Sequence, residues 1–195
     1  MPDRIGVWGG SFDPVHLGHL LLAGEAVEAC RLDRLVWVPS GSPPHRRGPA
    51  ASGQDRLEMV RLAIDGDSRF ALSDYEVSRD EVSYTVETLN ALAAQNERCG
   101  LVLLIGSDNA VDFEQWHLPD EVLKLAEVAV FERPGSPVDR IAPGLADRMR
   151  VLDTPRFEIS STVVRNRVRA GRSIRYWVPD AVATYIQTHH LYLGG

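Results

Sequence analysis

Residues 4–19, Arg4-Ile5-Gly6-Val7-Trp8-Gly9-Gly10-Ser11-Phe12-Asp13-Pro14-Val15-His16-Leu17-Gly18-His19, decide how the chain is read. A short β-branched and aromatic run, Arg4 to Trp8, stops at Gly9-Gly10, and a helical pattern begins near Leu17 and continues to Cys30. Strand, glycine turn and helix follow one another. Glycines at a strand end let a ligand approach the backbone, and the N–H groups ahead of the helix can face a polyphosphate. His16 and His19 are three residues apart and share one side of the helix start, with Gly18 leaving room beside them. Both imidazoles can donate N–H groups to one phosphate. A zinc site would also use such a pair, but no third Cys, His or carboxylate stands at ligand spacing.

Further along, the alternation repeats. Leu35 to Val38 has the signature of a buried strand and ends at Pro39, and Arg56 to Ile64 carries Leu57, Val60 and Ile64 at helical spacing. Phe70 to Val77 reads as a short, edge-like strand, and Tyr84 to Ala94 as an amphipathic helix. Leu101 to Ile105 is the most apolar strand and, like the first, ends at a glycine, Gly106, followed by Ser107 and Asp108. Val128 to Phe131 is another buried strand, closed by Arg133-Pro134-Gly135. Ser160-Ser161-Thr162 caps a helix running to about Ala170, Gly171 ends it, and a last helix spans Asp180 to Thr188. Buried strands alternating with helices predict an α/β fold, a parallel sheet with helices on both faces, whose ligand crevice lies at the carboxyl ends of the strands.

Two other stretches bear on chemistry. Hydroxyls at Ser160, Ser161 and Thr162, with Arg165 one turn on, form an anion-binding arrangement at a helix N-terminus. Arg167, Arg169, Arg172 and Arg175 follow, with no acid between Glu158 and Asp180, which is also the pattern of a solvated basic helix. The segment from Pro39 to Gly53, PSGSPPHRRGPAASG, is long for a connection and holds His45-Arg46-Arg47 at its middle. It reads either as a surface loop or as a loop that closes over substrate.

Composition sets the limits. A chain of 195 residues, 44% hydrophobic and 25% charged, suffices for one well-buried domain and excludes disorder as the main state. The apolar runs GLVLLIG and VLKLAEVAVF fall short of the roughly 18–20 residues that cross a bilayer, and the opening residues lack a signal pattern. A soluble, cytoplasmic protein with no membrane partner is expected. Cys30 and Cys99 stand far apart without metal spacing, so neither a disulfide framework nor a zinc ribbon is supported. A net charge of −6 makes nucleic acid an unexpected partner. Lys124 is the sole lysine and lies in no GxxxxGK[ST] context, which excludes a P-loop.

GGSFDPVHLGH together with ISSTVVR resembles the nucleotidyltransferase superfamily, with its HxGH and ISSTxxR motifs. VPSGSPPHR, SDYEVSRDEVSYTVETL, IGSDNAVDFEQWH, Arg133-Pro134-Gly135 and RYWVPDAVATYI are each similar, in order, to bacterial nicotinate-nucleotide adenylyltransferases. The resemblance runs from Gly9 to about Ile186. It implies a single Rossmann-like nucleotidyltransferase domain over residues 1–195. The implied reaction transfers AMP from ATP to nicotinate mononucleotide, giving nicotinate adenine dinucleotide and pyrophosphate in NAD synthesis, with Mg²⁺ accompanying ATP and no protein metal ligand named. A homo-oligomer is compatible with the sequence, although no feature specifies one.

The same resemblance suggests roles. His16 and His19 would donate to ATP phosphates, His19 to the α-phosphate, while Gly9, Gly10, Ser11 and Phe12 line the triphosphate and nucleophile path. Ser161, Thr162 and Arg165 would hold the β- and γ-phosphates, so that His16, His19 and Arg165 form the catalytic set. Gly106 and Asp108 would belong to the ATP site, Asp108 near the ribose. For the acceptor, Trp116 would stack on the nicotinate ring, Tyr84 and Thr85 would meet its carboxylate, and His45, Arg46 and Arg133 would approach the mononucleotide. The family commonly has lysine where Arg46 stands, glycine or proline near Glu81-Val82, and aspartate at Glu87, departures that touch the acceptor edge. Another acceptor, nicotinamide mononucleotide or phosphopantetheine, is the neighbouring alternative. A non-catalytic nucleotide sensor is the alternative from another class.

Overall fold

The strands begin with β1 (Arg4–Gly10), β2 (Arg34–Pro39) and β3 (Phe70–Leu72), and continue with β4 (Gly100–Gly106), β5 (Ala126–Phe131) and β6 (Met149–Leu152). They lie in one six-stranded sheet, ordered β3-β2-β1-β4-β5-β6, and every pairing is parallel. The computed structural model describes residues 3–41, 50–79, 81–96, 98–133, 135–155 and 158–193. The helices are α1 (Leu17–Cys30), α2 (Gly53–Ile64), α3 (Thr85–Gln95), α4 (Ser107–Val111), α5 (Pro119–Leu125), α6 (Pro143–Ala146), α7 (Ser161–Arg169) and α8 (Asp180–Thr188).

Side chains alternate across the sheet, so each central strand feeds two cores. From β4, Val102 and Leu104 join Ala23 and Ala26 of α1, Met59 and Val60 of α2, Val164 of α7 and Ile186 of α8. Leu101, Leu103 and Ile105 point the other way, to Val86, Leu89 and Leu92 of α3 and Val122 of α5. Each such buried Val, Leu, Ile or Met side chain stabilises the fold by about 1.5–3 kcal/mol. The single α/β domain with helices on both faces is therefore as the alternation predicted.

The order 3-2-1-4-5-6 reverses between β1 and β4, and such reversals leave a crevice outside the strand ends. Here the register shows the opening. β1 pairs with β2 as far as Gly10↔Pro39, but with β4 only as far as Val7↔Leu103. Gly9-Gly10 and Gly106 thus end on strands that have already parted.

Some elements differ from the sequence reading. The Phe70–Val77 strand stops at Leu72, because Ser73 Oγ accepts from the Tyr75 N–H and Ser78 N–H bonds back to the Asp74 carbonyl, turning the chain off the sheet edge. β6 and the short helices α4, α5 and α6 were not anticipated. α5 runs into β5 without a loop, so VLKLAEVAVF contains a helix end and a whole strand. Among the described residues no helix is long and apolar enough to cross a membrane, and both cysteines are free.

Candidate active site

His16 is the N-cap of α1 and His19 its third residue, and the two cap the helix together. His16 Nδ1 accepts the His19 N–H at 3.3 Å, and His19 Nδ1 accepts the His16 N–H at 3.2 Å. A ring nitrogen that accepts carries no proton, so both imidazoles are neutral and carry the proton on Nε2, leaving Nε2–H as the donor each ring offers. The rings stack with centroids 3.6 Å apart and an interplanar angle of 24°. Burial, with the Arg133 charge nearby, pushes the His16 pKa down to about 3. His19 also falls well below the ordinary histidine value, through burial first and then through the repulsion that a proton on His16 would add and the Arg133 charge. Two cations so close would repel; two neutral donors do not. Gly18 makes the stack feasible, since a Cβ there would stand 3.1 Å from His16 Nδ1 and 3.2 Å from its Cε1.

The wall behind His19 is aromatic. Trp8 and Phe12 meet its ring edge to face at 5.7 and 5.2 Å. Phe12 is buried in a left-handed conformation, φ 46°, which costs a residue with a Cβ about 1–2 kcal/mol and is held by packing against Trp8 and Trp37. The turn between β1 and α1 is then pinned from α7. Ser161 Oγ donates to the Pro14 carbonyl at 2.8 Å, and Arg165 Nη1 donates to the Asp13 carbonyl at 2.7 Å. Arg165 Nη2 donates to Thr162 Oγ1 at 3.2 Å, while Ser160 Oγ accepts the Val163 N–H at 3.3 Å and caps α7. HxGH and SSTxxR, far apart in sequence, therefore share one locus. The Ser161 hydroxyl proton is engaged within the protein, so what Ser161 offers an anion is its backbone N–H at the helix start.

Across the opening, Gly106 leads directly into α4. A Cβ on Gly106 would collide with Asp108 Oδ1 and stand 2.6 Å from Arg133 Nε. Arg133 pairs with Asp108 at 3.6 Å. Asp108 lies in the first turn of α4, whose N-cap is Gly106 and which has no side-chain cap bond. Ser107, fully buried, accepts the Arg133 N–H at 2.8 Å and donates to the Ser136 carbonyl, fixing the Arg133 loop on the end of β4.

A cleft of about 260 Å³ lies at the carboxyl ends of β1, β2 and β4, bordered by Gly9, Gly10, Thr85 and Trp116. Trp116 packs on Phe113 at 4.8 Å and also borders this cleft, so it is both a packing residue and a wall. Tyr84 does not border it; its ring lies on His117 at 4.4 Å. His45 and Arg46 lie outside the described residues. Two cleft supports escaped the sequence reading. Arg56, 2% exposed, donates to the Ser11 carbonyl at 2.8 Å and the Ser40 carbonyl at 2.6 Å, knotting the turns after β1 and β2. Glu76 accepts from Thr88 Oγ1 at 2.8 Å and from the Gly41 N–H at 3.4 Å, and burial raises its carboxyl pKa. The one available signal was an arginine in α2 beside buried positions. Among the described residues no three His, Cys, Asp or Glu side chains gather as a metal site.

A parallel sheet of this order with N–H donors gathered at its switch point defines a Rossmann-type nucleotide-binding protein. The cytidylyltransferase-like family model matches residues 7–167. The chain is 42% identical over 189 residues to the probable nicotinate-nucleotide adenylyltransferase of Salinibacter ruber, covering 96% of this chain and 97% of that protein. It is 40% identical over 198 residues to that of Rhodopirellula baltica, covering 96% and 92%. Among solved structures, Plasmodium falciparum nicotinic acid mononucleotide adenylyltransferase complexed with NaAD shares the fold, with a TM-score of 0.78, 18% identity and 97% of each chain covered. The chain belongs to the cytidylyltransferase-like family and, within it, to the nicotinate-nucleotide adenylyltransferases.

Proposed function

We propose that the protein transfers AMP from ATP to nicotinate mononucleotide, giving nicotinate adenine dinucleotide and pyrophosphate in NAD synthesis. The observation that carries this is the mutually capped His16–His19 pair at the start of α1, which leaves each ring its Nε2 nitrogen to donate, on the turn that follows the Gly9-Gly10 edge of the cleft that Trp116 also borders. A phosphate oxygen of the mononucleotide forms a bond to the α-phosphorus, the bond to the bridging oxygen breaks, and its electron pair leaves with pyrophosphate. With a second phosphate pKa near 6, the nucleophile is already ionised at neutral pH and needs no general base. Catalysis then rests on alignment and on donors aimed at developing charge, each worth about 2.7–4 kcal/mol.

In this reading His19 and His16 donate to the ATP phosphates, and Gly9, Gly10, Ser11 and Phe12 shape the reaction path. Thr162, Arg165 and the Ser161 N–H take the outer phosphates; Gly106 and Asp108 take the nucleoside side. Trp116 stacks on the acceptor ring, Thr85 serves its carboxylate end from the cleft wall while Tyr84 packs on His117 outside it, and Arg133, with His45 and Arg46, serves the mononucleotide. The phosphate-facing groups are donors rather than anionic ligands, so Mg²⁺ would be held by ATP oxygens and water and would neutralise triphosphate charge. Residues 1–195 act as one nucleotidyltransferase domain, and a cytoplasmic location goes with this role.

Pyrophosphate release with Mg-ATP tests the reading, with nicotinate mononucleotide, nicotinamide mononucleotide and phosphopantetheine compared at matched concentration. Preference for the nicotinate acceptor is expected. Preference for another acceptor would reassign the substrate, and ATP binding without release would make the protein a nucleotide sensor.

A further inference from the structure

Tyr192 lies beyond α8, 179 positions from Asp13, yet its phenol donates to Asp13 Oδ1 at 2.8 Å. Asp13 is 4% exposed. Among the described residues its other donors are backbone groups: the Ala51 N–H at 3.1 Å to Oδ1 and the Ala50 N–H at 2.7 Å to Oδ2. Among the described residues the nearest cation is Arg165, whose Nη1 donates to the Asp13 carbonyl but stands 3.7 Å from Oδ2, farther than the 2.7–2.9 Å of a charge-assisted hydrogen bond. Arg56 is also close enough to feel this carboxylate. The Arg165 Nε, buried, has no partner among the described residues. Burial and the adjoining carboxylate raise the Tyr192 pKa far above its ordinary value, so the phenol keeps its proton at any working pH.

A carboxylate already satisfied by three donors pulls less on a nearby guanidinium than one left short of a donor. We propose that Tyr192 is a positioning residue for the nucleotide phosphate site: by donating to Asp13, it keeps the carboxylate from capturing Arg165 and leaves that guanidinium to a phosphate. The inference rests on the reading of Arg165 as a phosphate ligand. It assigns a segment after the last helix to the performance of a turn at the other end of the sequence.

Tyr192→Phe keeps the ring and removes only the donor. Its expected effect is a rise of about fivefold to tenfold in KM for ATP, with the acceptor KM within about twofold and kcat altered less than KM. Inhibition by inorganic tripolyphosphate should weaken in parallel. In an Arg165→Ala background the same change should add nothing, because its effect passes through that side chain. Unchanged ATP KM in Tyr192→Phe with a normal circular dichroism melt would overturn the inference, as would an equal further loss in the double variant. If Arg165→Ala alone left ATP KM unchanged, the phosphate role of Arg165 would fall first, and the inference with it.

Discussion

Acidification from pH 7 to pH 5 should destabilise this protein through its histidine pair, by an amount that the buried rings allow us to work out. His16 titrates at 6.5 when unfolded and at about 3 when folded. A folded value below the unfolded one means that the unfolded chain takes up the proton first. The stability is thus fully present above about pH 6.5 and is lost as the pH falls toward 3. At pH 5 the unfolded histidine is almost fully charged and the folded one almost fully neutral. Linkage then gives a loss of about 2 kcal/mol relative to pH 7 from His16, and a loss of the same sign from His19. For a chain of this size, 2 kcal/mol corresponds to about 4–8 °C in Tm. Carboxylates also titrate near pH 5, so the assay compares Tm at both pH values in wild type and in His16→Asn. Asparagine retains an oxygen that can accept the His19 N–H as an N-cap but carries no titrating proton. The drop between pH 7 and pH 5 should shrink by about 4–8 °C in the variant. Equal drops in the two proteins would refute the neutral, mutually capped pair.

His19→Ala should lower kcat by about a hundredfold to a thousandfold while far-ultraviolet circular dichroism stays native, since a donor to developing phosphate charge is lost. Gly18→Ala should push the His16 ring aside by a few tenths of an ångström and lower kcat/KM severalfold; wild-type kcat/KM in Gly18→Ala would mean that the ring position is not critical. Arg56→Met leaves the carbonyls of Ser11 and Ser40 without their donor and should cost about 2–4 kcal/mol by urea unfolding, with KM for both substrates raised.

What the sequence makes legible here is what local pattern encodes. α1 and α8 begin and end at the residues where periodicity and turn chemistry place them, and Ser160 caps α7 as its neighbours suggested. β6 escapes because only Met149 and Leu152 of its four residues are buried, at the sheet edge, too short an alternation to register. For Trp116 the resemblance implied only a stacking wall, and the structure shows a side chain that packs on Phe113 as well as bordering the cleft. Long-range partners are the hardest class. Arg56 bonds to backbone carbonyls, which every residue supplies, and the partner of Tyr192 is one aspartate among many, so nothing local in either segment names the other.

The mutual cap of His16 and His19 has a dynamic consequence. An imidazole accepts with one nitrogen and donates with the other, on separate corners of a rigid ring. The ring that closes the first turn of α1 is also the ring that offers a proton to substrate. Fraying of that turn withdraws both donors together, and a ligand gripping the Nε2 protons splints the helix backbone through the two side chains. Amide hydrogen exchange at His16 and His19 should slow when nucleotide binds, so solvent exchange at these two N–H groups reports how much of the time the helix end stands ready.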